Sequence, residues 1–227
     1  MFKNLLNILT APNDAFAAIR EKPTILVPLL FIGMVMASVQ YGYFQVVDRE
    51  FLIEQLIEQT QAFVNAPEDQ LRANLEDTNP KRLAVQSVIS VMIVVPLVMC
   101  IYAGYLSLIS KFTYDEIPYR QWLSLTVWSG IPSLFIAIAG WVVLLTNNDG
   151  MIGIQDLNPL TLNSLIFQTQ GEFSGLLNAI NLSQIWSVIL MSIGYRKWTD
   201  KSSLKSAIIV LAPYLIILAI AVIVILT

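Results

Sequence analysis

Two clusters of polar side chains carry the chemistry that this sequence offers, and both lie near its end. The first is a row of amides and a hydroxyl, and the second is a basic cluster. The row is Asn178, Asn181, Gln184 and Ser187, and the basic cluster is Arg196, Lys197, Lys201 and Lys205. Neutral amides form hydrogen bonds, and lysine and arginine attract anionic groups. This is the chemistry of binding rather than of covalent catalysis.

The composition removes most catalytic chemistry. The chain has no histidine, which excludes serine hydrolases with a histidine base, HExxH metalloproteases and histidine metal sites. Its single cysteine, Cys100, is expected to be a small buried hydrophobe. A membrane enzyme would need loop carboxylates such as Asp115, Glu116 or Asp149. We therefore expect no enzyme activity, no cofactor and no metal site.

Five long runs without an ionised residue decide the fold class. Hydrophobic residues make up 56% of the 227 residues, and the mean hydropathy is +0.67. Because about 20 apolar residues cross a bilayer as a helix, each run predicts a transmembrane helix. The sequence thus predicts an all-α polytopic membrane bundle of five transmembrane helices. The predicted spans are 23–47, 83–110, 121–146, 173–195 and 206–227.

The segment before the spans, residues 1–22, predicts a cytoplasmic interfacial amphipathic helix pair. Leu5 and Leu9 fall on one helical face, and Phe16 and Ile19 fall on another after Pro12. Such a segment either lies on the membrane or docks against the other helices. The remainder, residues 23–227, is predicted to form one membrane domain.

The basic residues indicate the orientation in the membrane. Five crossings place nine of them on the side of the N-terminus and four on the other side. Cytoplasmic loops are enriched in lysine and arginine, so we expect a cytoplasmic N-terminus and an extracytoplasmic C-terminus. The outer loop 48–82 also carries eight acids, whereas the outer loop 147–172 carries no basic residue. Lys81 and Arg82 run against this rule, because they adjoin a span on the outer side.

Inside the spans, proline, glycine and amides are the informative residues. Proline occurs in four spans and predicts kinks, while Gly104 and Gly130 predict close helix packing. In the fourth span, three-residue steps would wind the polar row from Asn178 to Ser187 around the helix. This pattern favours hydrogen bonds between helices, with a polar solute path as the alternative. The proline positions are Pro28, Pro96, Pro132 and Pro213.

Several motifs together resemble the Yip family of Ypt/Rab-interacting membrane proteins and its bacterial relatives. The match runs from Ala11-Pro12-Asn13-Asp14-Ala15-Phe16 through Tyr102-Ala103-Gly104-Tyr105 and Trp128-Ser129-Gly130 to Ser183-Gln184-Ile185-Trp186-Ser187 and Gly194-Tyr195-Arg196. The resemblance implies five membrane helices with a cytosolic N-terminus and a C-terminus outside the cytosol. The short segment before the first span is similar to that of bacterial relatives, which implies the bacterial inner membrane.

The leading hypothesis is a non-enzymatic integral membrane protein that organises membrane or protein partners, in trafficking or envelope organisation. Its basic cluster would contact anionic lipids, and its cytoplasmic face would hold a protein partner. A homo-oligomer is left open, and the net charge of −3 argues against nucleic acid. The alternative is a transporter or channel-like protein for a neutral or amphipathic small molecule or lipid, with its path along the polar row.

Overall fold

The computed structural model describes residues 2–61, 67–75, 78–171 and 173–226. All the regular elements in these ranges are helical, which confirms the predicted all-α class. Two short turns join them, a 3-10 turn at Ile154–Leu157 and a π turn at Asn163–Phe167. The helices are α1 (Phe2–Thr10), α2 (Pro12–Glu21), α3 (Leu26–Val46), α4 (Arg49–Gln61), α5 (Glu68–Leu75), α6 (Pro80–Phe112), α7 (Tyr119–Ser129), α8 (Ser133–Thr146), α9 (Ser174–Ala179), α10 (Leu182–Thr199) and α11 (Ser203–Leu226).

Within the described residues, four helices are long and apolar enough to cross a membrane. They are α3, α6, the α7–α8 pair and α11. The predicted count of five was wrong at 173–195, because this run is not one helix. It divides at Ile180 and Asn181 into α9 and α10, and α10 ends in the basic residues Arg196 and Lys197. The ionised last turn lowers the hydropathy of α10 below that of the other spans.

The third span is also divided, although it remains one crossing of 28 residues. The break falls at Gly130-Ile131-Pro132, between α7 and α8. Pro132 cannot donate the helical hydrogen bond to the carbonyl of Trp128. The amide of Ile131 donates to that carbonyl instead, at 3.3 Å. The chain therefore turns here without leaving the bundle.

The bundle has two ends that differ in composition. We call them the α2 end, which holds α2 and the start of α11, and the α4 end, which holds α4 and the start of α6. One hydrophobic core near the α2 end includes Phe16, Trp122 and Tyr195. A second core near the α4 end includes Tyr43 and Leu157.

Helix α10 connects the two ends. At its start, the amide of Leu182 donates to the carbonyl of Leu160, in the segment that follows α8, at 3.0 Å. Near its last turn, the indole Nε1 of Trp198 donates to the carbonyl of Phe16 in α2, at 2.9 Å. Leu182, Ile185 and Ile189 are exposed along one face of α10. This face has no partner among the described residues.

Donors from neighbouring helices satisfy one carbonyl that a proline leaves free and another that lies just before a helix. Pro213 in α11 lacks the amide that would bind the carbonyl of Ile209, and the hydroxyl of Tyr105 in α6 donates to that carbonyl at 2.8 Å. The carbonyl of Thr24 precedes the N-cap Ile25 of α3 and is therefore outside the helical hydrogen bonds. This carbonyl accepts hydrogen bonds from Ser124 Oγ at 3.1 Å and from Trp128 Nε1 at 3.0 Å, both in α7. Because lipid offers no donors, these bonds fix which helices are neighbours.

Glycines mark the closest approaches between helices. A Cβ atom at Gly194 of α10 would lie 2.3 Å from Leu125 Cδ1 of α7 and 3.0 Å from the ring of Phe16. At Gly130, the nearest side-chain atom would be Met99 Cε at 2.9 Å, so the predicted close packing there is confirmed. The same prediction was wrong for Gly104, where a Cβ would meet no atom within 4 Å.

Candidate functional site at the basic end of the bundle

The α2 end presents a shallow concave surface of about 510 Å³. Helix α2 contributes one wall, and the last turn of α10 with the link to α11 contributes the other. Asp200 reverses the chain between these two helices with a left-handed backbone, φ +53°. The lining residues are Asn13, Arg196, Lys197, Asp200, Lys201 and Ser202. Three of the four predicted lipid-contacting residues therefore line one surface.

The basic cluster separates into one largely shielded member and three exposed members. Arg196, Lys197 and Lys205 are exposed and form no ion pair within the described residues. Lys201 instead forms an ion pair with Asp115, from the loop between α6 and α7. The side chains of this pair are only 12% and 10% exposed. Lys201 therefore holds the loop against α11, while the other three remain available for anionic groups.

Asp115 is held by the backbone around it. Its amide donates to the carbonyl of Ser110 at 3.0 Å, and its carboxylate accepts a hydrogen bond from the hydroxyl of Thr113. Its neighbours Tyr114 and Glu116 have left-handed backbones, with φ of +55° and +50°. Side chains rarely adopt this conformation because it costs free energy. The ion pair offsets this cost by fixing the loop.

An aromatic cluster below the ion pair attaches α2 to the bundle. The Trp122 ring stacks on Tyr195 with centroids 5.3 Å apart and contacts Trp198 at 5.8 Å. Lys201 Nζ lies 5.7 Å from the centroid of the Tyr195 ring, which favours the cation. Phe16 of α2 is fully buried here. Of the two arrangements expected for the N-terminal segment, the structure has α2 docked against helices α7 and α10.

The polar row is divided between two helices. Asn181 is the N-cap of α10, because its side chain accepts a hydrogen bond from the amide of Gln184 at 2.9 Å. Asn178 lies in α9, where its Oδ1 accepts from the hydroxyl of Thr161 at 3.4 Å. Ser187 donates to the carbonyl of Ser183 within α10, at 2.9 Å. These contacts use three of the four residues in local structure around the start of α10.

The loop carboxylates considered for an enzyme occupy separate places. Asp115 belongs to the ion pair, and Glu116 is its exposed neighbour. Asp149 accepts from the amide of Met151 at 3.0 Å, in the turn after α8 at the other end of the bundle. The described residues contain no group of three or more Cys, Asp or Glu side chains suited to a metal ion.

Comparison with known proteins identifies the family. The profile described as Yip1 domain matches residues 6–226, nearly the whole chain. The chain belongs to the Yip1 domain family. It is also similar to the membrane protein YknW of Bacillus subtilis, with 26% identity over 206 residues that cover 86% of this chain and 78% of YknW. No solved structure matches it. The resemblance to the Yip family and its bacterial relatives is thus confirmed.

In this Yip1 domain, sequence reasoning missed the residues that hold the site together. Asp115 was considered only as a loop carboxylate, although an acid between basic residues is one signal of an ion pair. Tyr102 and Tyr105 were noted only as part of a motif, yet both hydroxyls donate to carbonyls of α11. A proline in one predicted span and tyrosines in another could have suggested this pairing.

Proposed function

We propose that this Yip1 domain is a non-enzymatic integral membrane protein that organises anionic lipids and partner proteins at its α2 end. Membrane trafficking and envelope organisation are the processes that this role fits. The observation that carries the proposal is the division of the basic cluster. Lys201 is used internally, Arg196 and Lys197 are exposed in the lining of the concave surface, and Lys205 is exposed in the first turn of α11.

The docking of α2 supports a built binding surface. Ile8, Phe16 and Ile19 are fully buried, so the N-terminal helices are part of the bundle. Further exposed cations lie at this end of the bundle, at the end of α2, in the last turn of α6 and at the start of α7, and Tyr114 between α6 and α7 is 89% exposed. The additional exposed cations are Arg20, Lys22, Lys111 and Arg120. Cations with exposed aromatic rings are suited to a headgroup layer.

We propose that this end faces the cytoplasm of a bacterial inner membrane. The N-terminal helices and the start of α11 both lie at this end, because Trp198 near the last turn of α10 contacts α2, and α11 is long and apolar enough to cross to the other side. The N-terminus would then be cytoplasmic and the C-terminus extracytoplasmic, in agreement with the distribution of basic residues.

The test neutralises the exposed cations and leaves the ion pair intact. The variant Arg196→Gln/Lys197→Gln/Lys205→Gln is placed in nanodiscs of phosphatidylcholine with phosphatidylglycerol. Association of spin-labelled phosphatidylglycerol with the protein is then measured. At about 1 kcal/mol per cation near a membrane surface, we expect at least a tenfold loss of preference for the anionic lipid. Spin-labelled phosphatidylcholine is the internal control and should not change.

Partner proteins are sought with the same variant. The wild type and the variant are affinity-purified in a mild detergent, and bound proteins are identified by mass spectrometry. A protein recovered with the wild type and lost with the variant would support the organising role. Unchanged lipid preference together with an unchanged set of bound proteins, in a variant with normal thermal stability, would refute the proposal.

A further inference from the structure

A groove on the outer surface of the bundle lies between α3 and α6, near the α4 end. Its volume is about 420 Å³, within the roughly 300–1,000 Å³ of small-molecule sites. The lining residues are Met34, Ala37, Ser38 and Tyr41 of α3, Val88 and Met92 of α6 and Trp141 of α8. Met34 is 57% exposed and Tyr41 is 49% exposed. The groove therefore opens sideways, toward the lipid around the protein.

Two of the polar groups in the groove wall, the Trp141 indole and the Ser38 hydroxyl, already have partners. The indole Nε1 of Trp141 donates to Ser38 Oγ at 3.1 Å, and Ser38 Oγ donates to the carbonyl of Val35 at 2.7 Å. Gly42 lets the Trp141 ring approach α3, since a Cβ there would lie 2.7 Å from the ring. These contacts hold the wall in place, and the wall presents hydrocarbon and the thioethers of Met34 and Met92 to a bound molecule. Such a surface suits an acyl chain.

A cation lies above one end of this groove, on the same face of α6. Lys81, Val85, Val88 and Met92 are spaced four, three and four residues apart, which aligns them along one side of a helix. Val85 and Lys81 are exposed, and Lys81 forms no ion pair within the described residues. At 1.5 Å per residue, Lys81 lies about 10 Å from Val88 along the axis.

Helix α3 has a matching arrangement. Tyr41 and Met34 lie about 10 Å apart along α3, and Tyr41 is the one nearer the α4 end. A Cβ at Gly33 would lie 3.1 Å from the sulfur of Met92. Met34, the next residue of α3, therefore lies at about the same height along the bundle as Met92. The groove therefore has a cation and a phenol at its α4 end and only apolar side chains toward the middle of the bundle.

The basic pair Lys81 and Arg82 is available for an anionic partner. The pair adjoins a span on the side predicted to be extracytoplasmic, where such residues are depleted. Both side chains are exposed at the start of α6. A phosphate group at the membrane surface would satisfy these charges, while the apolar groove would take the chain attached to it.

We infer that the α3–α6 groove binds one acyl chain of an anionic phospholipid, in the leaflet at the α4 end. Lys81 contacts the phosphate, Tyr41 lies at the level of the glycerol backbone, and the chain runs past Val88 to Met34 and Met92. This site is at the opposite end of the bundle from the basic cluster, so it does not depend on the proposed function.

Photocrosslinking tests the inference on the full chain in vesicles of phosphatidylethanolamine with a minor fraction of phosphatidylglycerol. Two probes are compared, phosphatidylglycerol and phosphatidylcholine, each with a diazirine on one acyl chain. We expect labelling of Met34, Val88 and Met92 by the anionic probe, several-fold above that by the zwitterionic probe. Lys81→Gln should reduce this preference about fivefold, as expected for one charge at a membrane surface.

Two further variants separate the parts of the site. Val88→Phe fills the groove and should abolish labelling of Met34 and Met92 by both probes. Lys111→Gln changes a cation at the other end of the same helix and should change nothing. If Val88→Phe does not fold, Lys81→Gln decides alone, because its side chain is exposed. Equal labelling by the two probes, an unaltered preference in Lys81→Gln, or crosslinks joining two protein copies through Met34 or Met92 would overturn the inference.

Discussion

Replacement of Tyr105 by phenylalanine tests how the bundle satisfies the backbone of its kinked last helix. Pro213 has no amide for the carbonyl of Ile209, and the Tyr105 hydroxyl donates to this carbonyl across the interface between α6 and α11, at 2.8 Å. The Tyr105→Phe variant removes only the hydroxyl. The carbonyl of Ile209 is then left without its donor from α6 in a partly buried stretch of α11.

The expected loss in the free energy of unfolding follows from two ranges of hydrogen-bond energies. An unsatisfied buried backbone group costs about 1–3 kcal/mol, whereas hydrogen bonds between membrane helices average about 0.6 kcal/mol and reach about 1.7. We therefore expect Tyr105→Phe to lower the free energy of unfolding by about 1–2 kcal/mol. Pro213→Ala restores an amide for Ile209, so in that background the same change should cost less than about 0.5 kcal/mol.

The assay is reversible unfolding in mixed micelles with increasing sodium dodecyl sulfate, followed by circular dichroism. All four proteins of the double-mutant cycle are measured. Tyr102→Phe is the matched control, because the Tyr102 hydroxyl donates to Val210, whose carbonyl also has the amide of Tyr214 available. Its cost should be the same with and without Pro213→Ala. An equal loss for Tyr105→Phe in both backgrounds would refute the reasoning.

Three more predictions concern the ion pair, the helix contact and the cap. Lys201→Gln leaves the Asp115 carboxylate without its cation, so the free energy of unfolding in micelles should fall by about 3 kcal/mol. The control Lys197→Gln changes an exposed side chain and should have little effect. Equal losses in the two variants would contradict a stabilising Lys201–Asp115 ion pair. Gly194→Ala places a Cβ 2.3 Å from Leu125 Cδ1 and should cost about 1–3 kcal/mol in the same assay. In the control Gly104→Ala, the new Cβ meets no atom within 4 Å, so the free energy of unfolding should not change. A similar loss in this control would argue against close packing at Gly194. Asn181→Ala removes the N-cap of α10 and should lower the free energy of unfolding by about 1 kcal/mol. Hydrogen exchange of the amides of Ser183 and Gln184 should become faster. Unchanged exchange would show that the cap does not stabilise the start of α10.

Local patterns predicted the helices well where hydropathy is uniform. The predicted spans 23–47 and 206–227 correspond to α3 and α11, because long apolar runs leave no other stable arrangement in lipid. The prediction of one helix over 173–195 was wrong, because an average hydropathy does not show the break at Asn181. An asparagine inside an apolar run is compatible with both a continuous helix and a new N-cap, and hydropathy does not distinguish them.

By itself, the sequence determined the membrane class, the helical content, the absence of histidine chemistry and the family, because each depends on composition or on order along the chain. Only the tertiary structure decided what the individual polar residues do. Lys201 lies in the same basic segment of the sequence as Lys197 and Lys205, yet among these described lysines it alone is paired with an acid, 86 residues away. Tyr105 likewise contacts a carbonyl 104 residues away. Such pairings depend on which helices become neighbours, and that choice comes from side-chain packing and from the need to satisfy every polar group in lipid.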